Sequence, residues 1–529
     1  MTGAEPDKTE QGEGGDASRG LVSLVGAGPG EPGLITRMGL DRLRAADVVV
    51  CDALADRRLL EETPEAEFID VGKRARQHKL TQDQINALLI ERGRQGQRVV
   101  RLKGGDPYLF GRGAEEIAAV AEAGLRCEMI PGITAGVAGP ALAGIPVTHR
   151  DCASTVTFIT GHEDPTKPDS AVDYQALAGL AQRGGTLGFY MGVGRLPTIS
   201  AALLEHGLSE QTPAAIVQWG TLPRQRTVRD TLSDIAERAS EAGVGAPAIV
   251  VVGQVAGLDQ PGLDFFTNRA LFGKRIVITR TRQQASSLRQ QLEAHGADVL
   301  EAPTIELAAP TSWQPVDSAL AGLDQYDWLV LTSANGVHAL KARLQAAGRD
   351  ARALAAVKLA AIGDATARAL REELAIEADL VPTRFVAESL ASELIARESI
   401  AGQHFLLLRA DIARPALPAT LREAGATVDD VTAYQTQQSA ALPDSVIEAL
   451  QKGEVDWLTF TSSSTVKNMA ALLGEQAQPL MQQVKIASIG PITSETIRQQ
   501  GWPIAVEAST SNIPGLVSAI VNASKAAAP

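Results

Sequence analysis

The sequence predicts an α/β protein made of two successive two-lobed units, and three observations carry that reading. Apolar runs of strand length alternate with helical patterns along most of the chain, the rhythm of α/β architecture. The rhythm breaks at Gly257–Gly273 (GLDQPGLDFFTNRALFG), a stretch dense in turn residues. Beyond that break the chain repeats itself: ITRTRQQASSLRQQLEAHGADV, from Ile278, aligns without gaps on LLRADIARPALPATLREAGATV, from Leu407.

The elements follow in order. Met1–Arg19 is polar, Gly-rich and without an apolar signal core, so it reads as a disordered tail. From Gly20, LVSLVGAGPG is a buried-strand run ending in a Gly-rich loop. Further strands are expected at Val48–Cys51, Val99–Leu102, Thr155–Thr160, Thr186–Met191, Ala214–Gln218 and Ala248–Val252, with helices at Thr81–Arg94 and Ala114–Ala123 among those between them. Residues 20–262 form one unit, its two lobes meeting near Pro146–Ser154, and 263–273 form a linker. A fresh strand, Arg275–Arg280, opens the second unit. There the register that sets Ile278 on Leu407 also sets Asp327-Trp328-Leu329 on Asp456-Trp457-Leu458 and Thr332-Ser333 on Thr461-Ser462, while Gly363 of AIGDAT falls on Gly490 of SIGPIT two positions earlier in register. A repeat this long implies two similar lobes rather than a solenoid, and a cleft between lobes is a common ligand site.

Composition narrows the function classes. With 529 residues, 45% of them hydrophobic, the chain can fill several cores. A net charge of −13 argues against a general nucleic-acid binder, though not against an anionic small molecule met by a local basic patch. Cys51, Cys127 and Cys152 form no CxxC pair, which fits a reducing, cytosolic setting and no structural zinc. No apolar run has the length of a membrane span.

The densest chemistry lies in RLKGGDPYLFGRGAEE, Arg101–Glu116. Gly104 and Gly105 let backbone approach a ligand, while Asp106 and Arg112 place opposite charges a few residues apart. VGAGPGEPGLIT (Val25–Thr36) falls short of a dinucleotide fingerprint: Glu31 stands at the third glycine position and Pro29 in the turn, although Asp52 ends a following strand where a ribose-binding acid would lie. The plainer alternative is a tight strand-to-helix loop.

Six motifs in order, VGAGPGEPGLIT, VVVCDAL, VGKRA, RLKGGDPYLFGRGAEE, PGITAGVAGPALAGIPVTHRD and FYMGVGRL, make residues 20–262 resemble the tetrapyrrole methylase family, and within it uroporphyrinogen-III C-methyltransferase. The resemblance implies S-adenosylmethionine held between two α/β lobes, a homodimer formed through this half, and methyl transfer to pyrrole carbons at two ring positions. It puts Pro29, Gly104, Gly105, Asp106, Leu109, Thr134, Ala135, Met191 and Gly220 against the methyl donor. Asp52 and Lys73 fall on proton-transfer positions, and Arg112, Glu115 and Arg150 face the tetrapyrrole, with the base open between Asp52 and Glu115. For an acceptor carrying eight carboxylates, Arg101, Lys103, Arg112, Arg150 and the Lys73-Arg74-x-Arg76 run are expected to supply a positive wall. Ala114 and Gly136 stand where many relatives have Gly and Ala.

LFGKRIVITRTR, LTSANGV, AIGDATARAL, VTAYQT, FTSSSTV and SIGPITSETI make residues 274–525 resemble uroporphyrinogen-III synthase. That implies two α/β lobes joined by a two-strand connection, lobe one being 274–307 plus 440–525 and lobe two 308–437, with 526–529 as a tail. It also implies closure of hydroxymethylbilane to uroporphyrinogen III without metal or organic cofactor. Thr332, Ser333, Asn335, Thr461, Ser462, Ser463 and Thr493 are the expected hydroxyl and amide contacts at helix N-termini, and Tyr434 an acid assisting water departure. Helix capping is the bland alternative for the Ser/Thr clusters. The two resemblances together imply a cytosolic bifunctional enzyme whose second half makes the substrate of the first, giving precorrin-2 for sirohaem or cobalamin, with neither nucleic acid nor membrane as partner. The rivals are a later cobalamin-pathway methyltransferase in the first half, and a ligand-sensing, non-catalytic second half.

Overall fold

The computed structural model describes residues 20–72, 80–162, 171–280, 282–383, 387–397 and 399–526. The expected tail at 1–19 lies outside them, as do Lys73, Arg74 and Arg76. The chain divides into two compact units, the second comprising Arg275–Gln291 and Val299–Ala523, with Leu292–Asp298 grouped with the first.

The first unit holds two five-stranded sheets. In one, β1 (Leu21–Gly26), β2 (Val48–Cys51), β3 (Glu67–Asp70), β4 (Arg98–Lys103) and β5 (Arg126–Ile130) run in the order β3-β2-β4-β1-β5 with every pairing parallel. Its strands alternate between two cores. Val22, Leu24, Val48, Val50 and Val99 pack with Leu89 and Val120 of the helices Gln82–Arg94 and Gly113–Glu122; Val25, Val49, Val100 and Leu102 pack with Leu43 on the other face. A parallel sheet covered on both faces has no solvent side. Arg101 and Lys103 share the Val99 face by the two-residue period of a strand, so the interior must accommodate them. In the other sheet, β6 (Thr155–Thr160), β7 (Gly185–Tyr190), β8 (Pro213–Gln218), β9 (Arg226–Thr231) and β10 (Ala248–Val252) run in the order β6-β7-β10-β8-β9, parallel between β6 and β7 and antiparallel elsewhere.

Three of the expected strands, Val48–Cys51, Thr155–Thr160 and Ala248–Val252, coincide residue for residue with β2, β6 and β10. The sequence reading lacks β3 (EFID), β5 (RCEMI) and β9 (RTVRDT), and each is an edge strand. Edges face water on one side and carry charge, so they lack the apolar run that marks an interior strand.

The second unit contains β11 (Arg275–Ile278), β12 (Asp298–Glu301), β13 (Ile305–Ala308), β14 (Trp328–Leu331) and β15 (Lys358–Ala361). It continues with β16 (His404–Ala410), β17 (Thr427–Gln438), β18 (Trp457–Phe460), β19 (Lys485–Ser488) and β20 (Val506–Glu507). The sequence repeat sets β11 on β16, β14 on β18 and β15 on β19. The sheets, however, run β12-β11-β18-β19-β20 and β13-β17-β16-β14-β15, so each lobe takes its first strands from one copy and its later strands from the other. Matching side chains mark the exchange. Asp327 Oδ2 accepts from the His404 N–H at 2.8 Å, and Asp456 Oδ2 accepts from the Arg275 N–H at 2.9 Å: each copy's aspartate reaches the other copy's strand. Trp328 and Trp457 are fully buried and carry Lys358 and Lys485 over their rings, at 5.2 and 5.6 Å.

The lobe boundaries differ slightly from expectation. Ile305–Ala308 pairs antiparallel with the end of β17, Ile305 opposite Gln438, and so belongs to the second sheet rather than with 274–307. The chain crosses between lobes at Pro303-Thr304 and again at Ser439, whose N–H donates to the Thr304 carbonyl at 3.2 Å. Sequence alone missed this because β17 is 12 residues long and outruns the repeat.

The exchange predicts how fragments fold. Residues 303–440 hold every strand of the second sheet and should unfold cooperatively in urea as an isolated fragment. Residues 274–402, one contiguous repeat, hold strands of both sheets and should show no cooperative transition by circular dichroism.

Candidate active sites

In the first unit the loops after β1, β4 and β5 converge where ligands of open α/β sheets bind, beyond the carboxyl ends of the strands. Backbone bonds join them: Gly105 N–H donates to Gly28 O at 2.7 Å, and Ala27 N–H to Lys103 O at 2.7 Å. Gly26, Gly105 and Gly132 meet backbone to backbone; a Cβ on Gly26 would lie 2.5 Å from Gly132 Cα, and one on Gly132 would overlap the Gly105 carbonyl oxygen. Gly105 itself has φ +69° and open space before it, the nearest atom to an added Cβ being Ala135 N at 3.9 Å. Asp106 ties the loops across: Oδ1 accepts from Tyr108 N–H at 2.8 Å and Oδ2 from Gly132 N–H at 3.1 Å. A carboxylate has about four acceptor positions, so about two remain.

The second lobe supplies the facing wall. Glu31 N–H donates to Thr221 Oγ1 at 3.1 Å, which sets Pro29 beside the 219–222 loop, and Gly220 lies against Gly139. Tyr190, at the end of β7, joins Thr134 Oγ1 through its hydroxyl at 2.5 Å, accepts from Gly136 N–H at 2.7 Å, and packs on Phe110 with ring centroids 5.1 Å apart. That hydroxyl occupies the space an alanine methyl at 136 would need, which accounts for the glycine there. Burial raises the Tyr190 hydroxyl above its ordinary range, so it stays protonated at neutral pH. Of the six non-glycine residues with left-handed φ among the described residues, Phe110, Arg112, Met191, Trp219 and Thr221 lie in these loops. Such backbone is uncommon and collects at functional sites. The structure therefore brings Pro29, Gly104, Gly105, Asp106, Leu109, Thr134, Ala135, Met191 and Gly220 to facing loops of the two lobes, with Met191 half exposed.

The charged positions separate into two groups. Arg112 and Glu115 lie exposed in a forked pair, Nε to Oε1 at 3.0 Å and Nη2 to Oε2 at 2.6 Å. Arg150 is exposed in the His149–Ala153 turn. Asp52 follows β2, is partly exposed, and receives Arg101 Nη2 at 2.6 Å, with Lys103 Nζ at 3.8 Å. Arg101 and Lys103 are 1% and 4% exposed, which removes them from the expected positive wall: they are interior cations paired with Asp52 and the fully buried Glu116. Glu116 was missed, yet it sits with Gly113 and Val120 on the apolar stripe of its helix, where a carboxylate signals a buried partner. Beside Asp52, burial and then the aspartate charge push the Cys51 thiol up to about 12, so it is no nucleophile at neutral pH.

In the second unit the expected residues lie at the carboxyl ends of equivalent strands of the two sheets, Thr332, Ser333 and Asn335 after β14 and Thr461, Ser462 and Ser463 after β18, with Thr493 after β19 and Tyr434 in β17. Ser333 caps the helix Ala334–Ala346 by accepting from Gly336 N–H at 3.1 Å, and its Oγ lies 2.9 Å from Tyr434 Oη. Its counterpart Ser462 caps Ser463–Leu473 through Thr465 N–H at 3.4 Å. Ser463 Oγ donates to the Ile492 carbonyl at 3.3 Å, next to Thr493. Thr332 and Thr461 are half-buried at the strand ends. Asn335 and Thr493 are buried, at 9% and 5%, so their side chains offer little surface, while both stand in first turns whose N–H groups lack helical partners. Capping is thus real for Ser333 and Ser462, and only Ser333 adds a bond to Tyr434.

Residues 21–236 match the Tetrapyrrole (Corrin/Porphyrin) Methylases, and residues 286–518 match Uroporphyrinogen-III synthase HemD. The Porphyrin biosynthesis protein HemD of Ruminiclostridium josui is 34% identical over 503 residues, covering 95% of this chain and 98% of that protein. The chain belongs to this family of fused methylase and synthase. An S-adenosyl-L-methionine-dependent uroporphyrinogen III methyltransferase of Methanosarcina barkeri is 46% identical over 253 residues, 46% of this chain and 98% of that one. A Uroporphyrin-III C-methyl transferase from Thermus thermophilus, solved with S-adenyl homocysteine, is 35% identical over 45% of this chain and 99% of its own, with a TM-score of 0.39.

The Arg112–Glu115 fork has a measurable sign. Arg112, by hydrogen bonding first, holds the Glu115 carboxyl below its ordinary range. The pair therefore contributes above the ordinary carboxylate range and is lost as pH falls through the lowered value. In Arg112→Ala the Glu115 carboxyl titration, followed by carbon-13 NMR, should move up to the ordinary range.

Proposed function

We propose that the chain is a bifunctional enzyme of tetrapyrrole biosynthesis. The second unit closes hydroxymethylbilane to uroporphyrinogen III with inversion of the last ring and loss of water. The first transfers two methyl groups from S-adenosylmethionine to that product, giving precorrin-2 for sirohaem or cobalamin. The observation that carries the reading is the succession, in one chain, of a methylase and the synthase that makes its substrate.

The first unit fits the donor on its own geometry. Open space before Gly105, the remaining acceptor positions of Asp106 and the half-exposed Met191 suit a ligand with a ribose, an ammonium group and a soft sulfonium. When bound, S-adenosylmethionine supplies the methyl group from its sulfonium. Gly104 and Gly105 present backbone to it, Asp106 accepts its hydrogen bonds, and Pro29, Leu109, Thr134, Ala135, Met191 and Gly220 enclose it. Arg112 and Arg150 meet acceptor carboxylates; Glu115 holds the Arg112 guanidinium until a substrate carboxylate replaces it. Of the two candidate bases, Asp52 takes the ring proton: both Glu115 oxygens accept from Arg112, whereas Asp52 accepts from Arg101 through Oδ1 and its Oδ2 has only Lys103 Nζ, at 3.8 Å. Lys73 is assigned to the same proton transfer.

In the second unit the bilane carboxylates bind first-turn N–H groups around Asn335 and Thr493 and the hydroxyls of Thr332, Ser333, Thr461, Ser462 and Ser463. Tyr434, oriented by Ser333, donates its proton to the departing hydroxyl. A homodimer through the first unit, in the cytosol, completes the proposal. The exposed Leu54, Ile133 and Val137 give that unit apolar surface for such a contact. Among the described residues no helix is long and apolar enough to cross a membrane.

Incubation with hydroxymethylbilane and S-adenosylmethionine should give a product heavier than uroporphyrinogen III by two methyl groups in the mass spectrum. Residues 274–529 alone should form the type III isomer above the spontaneous type I product; absence of type III would favour a ligand-sensing second unit instead. Within the first unit, Asp106→Ala should weaken donor binding by about 10- to 100-fold, the range for a lost hydrogen bond to charge. Arg112→Ala should leave donor binding within twofold and slow methylation, as isothermal titration and steady-state rates would separate.

A further inference from the structure

We propose that Glu116 is a positioning residue for methyl transfer, acting on Asp52 through Arg101 and Lys103. The inference rests on the assignment of Asp52 as the proton acceptor made above.

Four charges are stacked behind the site. Glu116 is 0% exposed and Arg101 1%, whereas the Asp52 side chain keeps 31% of its surface. Glu116 Oε1 receives three donors: Lys103 Nζ at 3.0 Å, Gln82 Nε2 at 3.0 Å and Arg101 Nε at 3.4 Å. The Arg101 guanidinium is held further by Nη1 on the Val50 and Leu102 carbonyls, at 3.3 and 3.4 Å. With Nε and Nη1 fixed on interior acceptors, Nη2 has one direction left, and Asp52 Oδ1 lies there at 2.6 Å. Lys103 Nζ stands between the carboxylates, 3.8 Å from Asp52 Oδ2.

The charge count matters as much as the geometry. Two cations face two carboxylates, and the interior set is neutral. Without the Glu116 charge, both cations would look to Asp52 alone, and a carboxylate held by two buried cations gives up its charge to a proton less readily. Clusters of this kind add little stability, since apolar replacements are often neutral or better, so orientation and charge balance at the exposed end are their use.

Glu116→Gln separates this role from a merely structural one. Among the described residues Glu116 Oε2 has no hydrogen-bond partner, so an amide nitrogen there loses no contact while Oε1 keeps its donors. In the full chain, kcat for methylation should fall about 10- to 100-fold, a substantial part of what a positioned base supplies. KM for S-adenosylmethionine should stay within twofold, and unchanged S-adenosylmethionine affinity by isothermal titration reports that the first unit is folded. Asp52→Asn is measured alongside, and the double variant should be no slower than Asp52→Asn alone, the signature of one residue acting through another. Should Glu116→Gln fail to fold, Lys103→Met is read in the same cycle: it unbalances the charge set the other way, and its effect on kcat should likewise vanish in the Asp52→Asn background. A wild-type kcat in Glu116→Gln with Asp52→Asn impaired overturns this inference and spares the Asp52 assignment. An equal loss in the Asp52→Asn background also overturns it. Full activity in Asp52→Asn overturns both.

Discussion

A guanidinium shut inside a sheet that is covered on both faces has to be paired, and the Arg101–Glu116 contact is the constraint on which the first unit depends. It lies at the centre of the sheet, on β4, between β2 and β1. Glu116 anchors the helix Gly113–Glu122 over that strand, and Arg101 carries the restraint across to the end of β2, where Asp52 emerges. Two residues further along, the strand ends at Lys103 and runs into Gly104 and Gly105, the latter with open space before it. One strand therefore delivers fixed charge to one part of the site and open space to another.

The second unit solves its recognition problem without comparable charge. Its candidate site uses hydroxyls and helix N-termini, and the two lobes repeat the device, Ser333 and Ser462 each starting a helix after an equivalent strand. Neutral donors distributed over two lobes suit a flexible polyanion, because no single carboxylate has to find a unique cation. The copies are not equivalent in detail. Tyr434 joins Ser333 from β17, whereas the position matching Tyr434 in the other copy is Ile305, which has no hydroxyl to offer. Duplication supplied two equivalent helix starts, and divergence left one of them with a tyrosine hydroxyl beside its cap.

Much of this was legible in the amino-acid order. Interior strands such as Val48–Cys51 announce themselves because burial on both faces demands continuous apolar residues. Edge strands such as EFID do not, since their pairing is decided by neighbours distant in sequence. The Gly-rich loops after β1 and β4 were readable from their glycines, and the structure brings them together. The fate of Arg101 and Lys103 was misread, because a cation beside a Gly-Gly-Asp loop looks like a ligand contact until the strand's two-residue period and the covering helices are known. Tyr190 was invisible for a related reason: its partners Thr134 and Gly136 lie more than fifty positions away. The repeat was plain in the sequence, but not which copy's strands would pair.

That pairing has a consequence for how the protein is made. The lobe built on β13 to β17 is contiguous, and all its strands have left the ribosome once Gln438 has emerged. The other lobe begins earlier and finishes later: β11 must wait for β18, as the bond from Arg275 to Asp456 spans 181 positions. During that interval the apolar Ile276, Val277 and Ile278 are synthesised but lack their neighbour. Vectorial synthesis therefore exposes this chain to aggregation at one identifiable segment and for one identifiable stretch of translation, and the long-range closure of the first-begun lobe is its last folding event.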